Sequence, residues 1–540
     1  MEKDARLEPT SAVLDAMHVG DIQGAFGTIR VSDVNPRRSW RSRFLTLLAI
    51  LGPGIIVMVG DNDAGGVTTY SQAGQNYGYS LLWTLLLLVP VLIVNQEMVV
   101  RLGAVTGVGH ARLINERFGR FWGFFSVGDL FLLNFLTITT EFVGIKQSSE
   151  FFGVPHWIVV PIAAGVLIGI TTSGNFRRWE RSMFVFLGLS LLVIPLAIIS
   201  HPDPVASLKG FAVPGIQGGI NSTAVLVIIA IVGTTVAPWQ LFFQQSNVVD
   251  KRITPRWFAY EKADTIFGSV VVVIGAAAII MATASIFTGT SAFGNFSDPV
   301  SVARAFASGN SYLLGSVYAV LLFDCSIVGA SAVTLATSYA FGDVFGLRHS
   351  LHRGFRDAKF FYGTYSGMVI CAAAIVLFAN DPLLSLITVA VQALAGVLLP
   401  SASVFLVLLC NDTEVLGPWV NRPWLNVVAT VIVTVLLELS LILVVTTIFT
   451  TIDVPKLMLV MTSAVGVVLV IASVMIVRSP PKVPQMSAAA KANWRMPALA
   501  LLEHPTWSLG RRVAILALRG YLVVAVVLLV VKAIQIALGH

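Results

Sequence analysis

Charged residues are scarce in this sequence. Lysine, arginine, aspartate and glutamate make up 12% of its 540 residues, whereas hydrophobic residues make up 56% and the mean hydropathy is +0.83. Soluble domains carry roughly twice that share of charge. The composition excludes a soluble globular protein and, with its repeated long apolar runs, predicts a polytopic membrane protein whose first partner is the lipid bilayer.

Cysteine is also scarce, and several other signals are missing. The three cysteines, Cys325, Cys371 and Cys410, show no paired spacing, so neither a disulfide framework nor a thiolate metal site is expected. Residues 1–35 are polar and lack the apolar core of a signal peptide. The net charge of +7 does not indicate a nucleic-acid partner, because the positive residues lie in short loops between apolar runs.

The apolar runs divide the chain into about thirteen candidate spans, and the loops between them alternate in charge. Every second loop is basic, starting at the N-terminal tail, so the positive-inside rule places the N-terminus on the cytoplasmic side. The expected location is the plasma (inner) membrane. The predicted regions are a tail at 1–43, five-helix groups at 44–200 and 220–410, and added C-terminal segments at 424–540 with a basic linker at 478–512. The final run, 513–538, is interrupted by Arg519, which leaves open whether it spans.

The first apolar segment breaks at Gly60-Asp61-Asn62-Asp63-Ala64-Gly65-Gly66 and then resumes toward Tyr79. Carboxylates and glycines in mid-segment are costly in lipid, and irregular backbone is tolerated there only where it is buried in protein or lines a watery cavity. Ionisable residues at that depth indicate a functional site, typically on an ion pathway.

A second break is predicted in the sixth segment, where Pro238 follows Gly233 and two threonines. Proline removes a backbone donor and clashes with the preceding turn. The two breaks are five spans apart, and an odd offset inverts one half of the chain relative to the other. Paired interruptions at corresponding positions indicate the binding site of a transporter built from two inverted repeats.

The candidate ligands at these breaks are oxygen atoms of carboxylates, backbone carbonyls and side-chain amides. They are Asp63, Asp61, Asn62, the unwound carbonyls near Gly60 and Thr234, and the amides of Gln392 and Gln240. Oxygen coordination suits hard divalent cations such as magnesium, calcium and manganese, whereas softer metals prefer imidazole or sulfur. No cofactor is expected; the metal is the substrate. The sequence leaves the oligomeric state open, and a monomer is compatible with it.

The sequence resembles the NRAMP divalent-metal transporters over residues 44–410. The resemblance rests on Leu51 to Gly54, Tyr77 to Trp83 and Arg101 to Gly107, with the family's Asp-Pro-Gly-Asn motif falling on residues 63–66 and its Met-Pro-His motif on residues 237–239. It implies an all-α LeuT-like fold with alternating access and two to three extra C-terminal helices. It also implies metal ligands at Asp63, Gly60, Gly66, Thr234, Ala237 and Gln392, with Asp61, Asn62, Trp239, Gln240, Glu97 and Glu141 as a second tier.

The departures from the family pattern affect selectivity and coupling. Gly66 and Ala237 replace the motif's asparagine and methionine, which removes two side-chain ligands and is expected to open the site. Trp239 and Gln244 replace the histidines associated with proton coupling, and Ile138 replaces one acid of a pair whose other member is Glu141. These departures are similar to those of the NRAMP-related magnesium transporters, so uncoupled transport of magnesium and manganese is expected, because magnesium readily keeps several waters.

Two alternatives stay open. One is a proton-coupled importer of manganese or iron, which the missing methionine and histidines disfavour. The other is an intramembrane aspartyl protease, which needs two aspartates that share a proton. Glu97, Asp129 and Asp324 are further intramembrane acids, each either a pathway residue or a carboxyl hydrogen-bonded to a neighbouring side chain.

Overall fold

The computed structural model describes residues 15–33, 35–309, 311–449, 452–478, 486–502 and 512–523. The described chain is mostly helical, with one two-stranded sheet near its start. Long apolar segments form helices because a helix pairs its backbone groups within the segment, where lipid offers no partner. The prediction of an all-α polytopic membrane protein is confirmed.

The first half of the chain supplies the first five spans. Its helices are α1 (Trp40–Ile50), α2 (Pro53–Val59), α3 (Ala64–Tyr77), α4 (Leu82–Thr106), α5 (His110–Phe118), α6 (Arg120–Phe151), α7 (His156–Thr171), α8 (Phe176–Ser190), α9 (Val193–Ile199) and α10 (Pro204–Ala212). Span one comprises α1 to α3 and span five comprises α8 and α9.

The second half continues the series in the same manner. Its helices are α11 (Ser222–Thr235), α12 (Pro238–Asp250), α13 (Phe258–Phe287), α14 (Pro299–Gly309), α15 (Tyr312–Phe345), α16 (Lys359–Phe378), α17 (Asp381–Cys410), α18 (Thr413–Leu416), α19 (Pro423–Ile448), α20 (Val454–Arg478) and α21 (Ala488–Asn493). Span six comprises α11 and α12, and α17 is span ten.

Helices at equivalent positions in the two halves pack against each other. α3 packs on α11, α4 on α13, α6 on α15 and α7 on α16. These pairs join spans one and six, two and seven, three and eight, and four and nine. Such pairing is expected of two repeats related by an axis in the membrane plane, although the repeat boundaries at 44–200 and 220–410 stay a prediction.

The number of spans is close to the prediction. In the described ranges ten segments are long and apolar enough to cross a bilayer, or eleven when α1 and α2 count as one span bent by 54°. The run at 156–173 forms α7, which at 16 residues is shorter than the usual spanning length. Most of the run at 513–538 and parts of the linker at 478–512 lie outside the described residues.

The bend between α1 and α2 was not predicted from the sequence. It lies at Gly52, whose backbone φ of +154° is strained for a residue with a side chain. Asp264 of α13 accepts hydrogen bonds from the amides of Gly52 and Gly54, at 3.0 and 2.8 Å. Amides at the start of a helix have no acceptor within that helix. The Asp264 carboxylate supplies one and therefore caps the start of α2.

Part of the predicted N-terminal tail, residues 1–43, is folded into a small hairpin. Strands β1 (Ile22–Gly24) and β2 (Gly27–Ile29) pair antiparallel as a hairpin, and the buried Ile22 and Ile29 pack in one cluster with Ile50. The hairpin lies at the end of the helical bundle that the loop charges assign to the cytoplasm.

A bidentate ion pair fastens the residues that precede the hairpin. The Asp15 carboxylate accepts hydrogen bonds from the Arg353 guanidinium at 2.7 and 2.8 Å. Burial raises the pKa of Asp15, but the hydrogen bonds from Arg353 and from the Met17 amide outweigh it and lower the pKa to about 2. Because folding lowers this pKa, the contribution of the Asp15–Arg353 pair to the stability of the fold is complete at neutral pH. It is lost as the pH falls toward about 2.

A second, fully buried ion pair connects the hairpin to spans five and six. Lys251 Nζ lies 2.6 Å from Glu180 Oε1, and neither side chain is exposed. The Lys251 ammonium also donates to the Leu51 carbonyl at 2.8 Å, while Glu180 Oε2 accepts from the Ala25 amide at 2.5 Å. This pair therefore holds the α1–α2 bend, α8, α12 and the hairpin together.

We expect Glu180→Gln to lower the unfolding free energy by about 3–5 kcal/mol, since it removes the carboxylate that contacts the buried Lys251 ammonium at 2.6 Å. The measurement is thermal unfolding of the purified protein in detergent. Asp33→Asn is the matched control, because the Asp33–Arg37 pair is partly exposed and such pairs contribute at most about 1 kcal/mol. Equal losses for the two variants would contradict the assigned role.

Candidate functional site

The first interruption is the connection between α2 and α3. It consists of Gly60, Asp61, Asn62 and Asp63, and all four residues are buried. The Asp61 amide donates to the Met58 carbonyl at 3.2 Å, and the Asn62 amide donates to the Val59 carbonyl at 3.1 Å. Both are hydrogen bonds of tight turns. The predicted break is therefore present, and it places two carboxylates inside the helical bundle.

Two acidic side chains cap the start of α3. Asp63 Oδ1 accepts from the Gly66 amide at 2.7 Å, and Glu141 Oε2 of α6 accepts from the Ala64 amide at 3.0 Å. In a continuous helix the Ala64 amide would donate to the Gly60 carbonyl, so this bond to Glu141 releases that carbonyl. The positive end of the α3 dipole stabilises both carboxylates. Glu141, a second-tier candidate, thus lies directly at the break.

The second interruption separates α11 from α12 at Val236 and Ala237. Pro238 is the first residue of α12, where a missing amide hydrogen costs least. Because Pro238 cannot donate, the Thr234 carbonyl loses its usual helical partner. The Gln240 side chain donates to the Thr235 carbonyl at 3.3 Å and accepts from Gln96 at 2.9 Å. Gln240 therefore supports the open backbone.

The two interruptions meet at the first turn of α3. A Cβ atom added at Gly66 would lie 2.8 Å from the Asp61 carbonyl oxygen, 3.3 Å from Thr234 Oγ1 and 3.4 Å from Asp63 Oδ1. A Cβ added at Gly65 would lie 1.6 Å from Gln392 Nε2 of α17. Carboxylate, carbonyl, hydroxyl and amide groups from spans one, six and ten are therefore gathered around two glycines.

Several buried oxygens at this junction have no hydrogen-bond partner in the described part of the chain. They are both carboxylate oxygens of Asp61, the side-chain oxygens of Asn62 and Thr234, and Oε1 of Glu141. Buried polar atoms in folded proteins are almost always satisfied. These oxygens are therefore available to water or to a cation.

The positions that depart from the family motifs hold packing groups and neutral amides. Trp239 and Ile138 are buried, and the Trp239 ring packs against Phe243 with centroids 6.1 Å apart. Gln244 Nε2 donates to Thr265 at 2.9 Å. The expected extra room is not present at Gly66, since the Asp61 carbonyl approaches the space that a larger side chain would fill.

The other intramembrane acids have their own partners. Glu97 lies 3.1 Å from Arg101 in an ion pair, so this second-tier candidate is a paired carboxyl. Asp129 accepts from Ser401 at 3.2 Å, and Asp324 accepts from Ser190 at 2.7 Å. For these three acids the structure supports the hydrogen-bonded alternative.

Sequence reasoning missed one link across the site. The Tyr70 and Thr235 hydroxyl groups are 2.8 Å apart and join α3 to the end of α11. Thr235 lies beside the predicted ligand Thr234, but no local pattern identifies Tyr70 as its partner. Within the described ranges there is no group of three His, Cys, Asp or Glu side chains suited to one metal ion. A cation here would thus need carbonyl, amide, hydroxyl or water ligands.

Two interrupted helices that meet around buried oxygen ligands, within paired five-span halves, define a membrane transporter with a LeuT-like fold. The family model described as natural resistance-associated macrophage protein-like (Nramp) matches residues 54–446. The chain belongs to the Nramp family.

Curated relatives and solved structures agree with this assignment. The divalent metal cation transporter MntH of Bacillus subtilis (strain 168) is 26% identical over 427 residues, covering 75% of this chain and 93% of the relative. MntH of Latilactobacillus sakei subsp. sakei (strain 23K) is 25% identical over 428 residues, covering 75% and 90%. A manganese transporter of Eremococcus coleocola, crystallised with an aromatic bis-isothiourea compound, shares the fold with a TM-score of 0.59 and 20% identity, covering 83% of this chain and 99% of that one.

Proposed function

We propose that this protein carries divalent metal cations across the membrane, that magnesium and manganese are both substrates, and that transport proceeds by alternating access without coupled protons. The oxygen-rich junction of the two interrupted helices supports this proposal most strongly. Asp63, the Asp61 carbonyl and Thr234 Oγ1 surround the same point at Gly66. The curated relatives are named as divalent metal cation transporters.

The composition of this ligand set favours hard cations. Ala237 stands where the family motif has a methionine, so no thioether is available there to favour a softer metal. Magnesium prefers oxygen ligands and usually keeps several waters. A site whose buried ligand groups are oxygens matches that preference.

An aspartyl protease explains the arrangement less well. Such an enzyme needs two aspartates that share a proton across facing helices. Here Asp61 and Asp63 lie on one connection, and the Asp63 carboxylate already accepts from the Gly66 amide. The relatives are transporters, and neither the second break nor its alignment with the first has a role in proteolysis.

Alternating access fits the distribution of breaks and bends. Span one is divided twice, at Gly52 and again between Gly60 and Asp63, which leaves α2 as a seven-residue helix between two non-helical connections. Asp264 holds one end of α2, and the capped start of α3 lies at the other. We infer that α2 moves relative to α3 to open the site toward the cytoplasm.

We expect Asp63→Ala to reduce metal uptake into proteoliposomes to background while the protein remains monodisperse. The substitution removes both a carboxylate ligand and the cap of α3. Asp63→Asn keeps a side-chain oxygen for the Gly66 amide but removes the charge, so it separates these two effects. Asp324→Asn is the matched control, because that acid is bound to Ser190. Wild-type uptake by Asp63→Ala would exclude Asp63 from the site.

Magnesium and manganese should both enter the proteoliposomes, and calcium should enter poorly, because its longer metal–oxygen distances need more space than the closely packed junction at Gly66 offers. Ala237→Met should raise the ratio of manganese to magnesium uptake by adding a soft ligand. Ala237→Leu adds similar volume without sulfur and is the control. A protein that carries manganese but ignores millimolar magnesium would contradict this selectivity.

Metal entry should produce no acidification of a pH-sensitive dye trapped inside the vesicles. The histidine positions of the family hold Trp239 and Gln244, which do not titrate near neutral pH, and only Glu141 remains of the acid pair. The rate should instead respond to membrane potential, which contributes about 2.3 kcal/mol per charge per 100 mV.

The decisive variant for proton coupling is Glu141→Gln, which keeps an oxygen for the Ala64 amide. Acidification that scales with metal uptake and disappears in this variant would show that one carboxyl suffices for coupling. Uptake without a proton signal in both proteins would support the uncoupled mechanism.

A further inference from the structure

An open cleft lies between the N-terminal hairpin and the first turns of α8, beside the contacts that join them. Its volume is about 700 Å³. The residues that line it are Ala25, Phe26, Gly27 and Thr28 from the hairpin, and Arg177, Arg181, Phe184 and Val185 from α8. The transport site does not include any of these residues.

One side of the cleft is cationic. Arg177 donates to the Thr28 hydroxyl through one Nη, and Arg181 donates to the Ala25 carbonyl through Nε at 3.0 Å. Neither guanidinium forms an ion pair in the described part of the chain, and the acid between them, Glu180, is paired with Lys251. The two arginines therefore offer uncompensated charge and spare N–H donors to an anion, which guanidinium groups recognise well.

The other side is apolar and continues along the membrane-facing surface of α8. Phe26 and Val185 are exposed, at 53% and 66%, and the Phe26 and Phe184 rings lie 4.6 Å apart. Arg181, Val185 and Leu189 are four residues apart in turn, so they lie on one helix face. An apolar stripe thus leads from the arginines toward the centre of the span.

We propose that this cleft binds an anionic phospholipid, with the phosphate at Arg177 and Arg181 and an acyl chain along Val185 and Leu189. The loop charges assign the start of α8 to the cytoplasmic side, where the leaflet contains anionic lipids that bind basic pockets near helix ends. A free phosphate would use the arginines but not the apolar stripe, so the continuity of the two favours a lipid.

Such a lipid would stabilise the docked hairpin. The hairpin contributes Ala25 and Thr28 to the same two arginines, so a headgroup between them adds contacts to both sides of the cleft. The hairpin also contacts the Glu180–Lys251 pair through the Ala25 amide. Lipid binding would therefore stabilise the packing at the cytoplasmic end of spans five and six.

The test is native mass spectrometry of the delipidated full-length protein titrated with phosphatidylglycerol or phosphatidylcholine, with thermal unfolding in parallel. Phosphatidylglycerol should bind more tightly and raise the unfolding temperature. Arg177→Gln and Arg181→Gln should each weaken its binding about fivefold, which corresponds to about 1 kcal/mol for a basic residue at an anionic surface. Arg178→Gln is the control, because Arg178 is exposed and lies outside the cleft.

Two further arms distinguish the source of the phosphate and the effect of a disturbed hairpin. Glycerophosphate should not raise the unfolding temperature at concentrations where phosphatidylglycerol does. Phe26→Ala, which leaves both arginines in place, should also weaken phosphatidylglycerol binding. Equal binding of the two lipids, equal weakening by Arg178→Gln, or full stabilisation by glycerophosphate would overturn the proposal.

Discussion

Backbone groups at a helix end have no water to bind in the lipid core, and this constraint governs the whole structure. Each interruption of a span exposes amides and carbonyls that would be costly to leave unpaired. Asp63, Glu141 and Asp264 accept from the free amides, and Gln240 donates to a free carbonyl. The irregular backbone is thus possible only because side chains replace the missing helical bonds.

The same replacement creates the site. When the Ala64 amide donates to Glu141, the Gly60 carbonyl loses its helical donor, and Pro238 has the same effect on Thr234. Gly66 lets the Asp61 carbonyl and Thr234 Oγ1 approach the first turn of α3 closely. The same few residues therefore supply both the groups that replace missing helical hydrogen bonds and the oxygens that are left to bind a cation.

The sequence was sufficient to predict both breaks, because glycine, aspartate and proline in apolar segments have local causes for interrupting a helix. It was also sufficient to predict a fold of two inverted repeats, which follows from the five-span offset between the breaks. The position of Glu141 came from the family resemblance alone, since no pattern within α6 directs it to Ala64. The expected room at Gly66 was wrong because backbone, which sequence patterns do not locate, occupies it.

The features that the sequence did not predict depend on contacts between distant residues. The bend at Gly52 is explained by Asp264, and the folded tail by Glu180 and Arg353, which lie far away along the chain. A short hairpin has too few residues to bury much surface alone. Its stability comes from the helices beneath it, so its own residues carried no signal beyond a polar tail.

The charge balance of the site is the last constraint on the mechanism. Asp61, Asp63 and Glu141 are buried, and none forms an ion pair with a basic side chain in the described ranges. A divalent cation supplies the missing positive charge when bound. Without it, the Gly66 and Ala64 amides and the positive end of α3 stabilise two of the three carboxylates. These fixed dipoles offset only part of the buried negative charge, so a bound divalent cation completes a charge balance that the protein's own groups leave open.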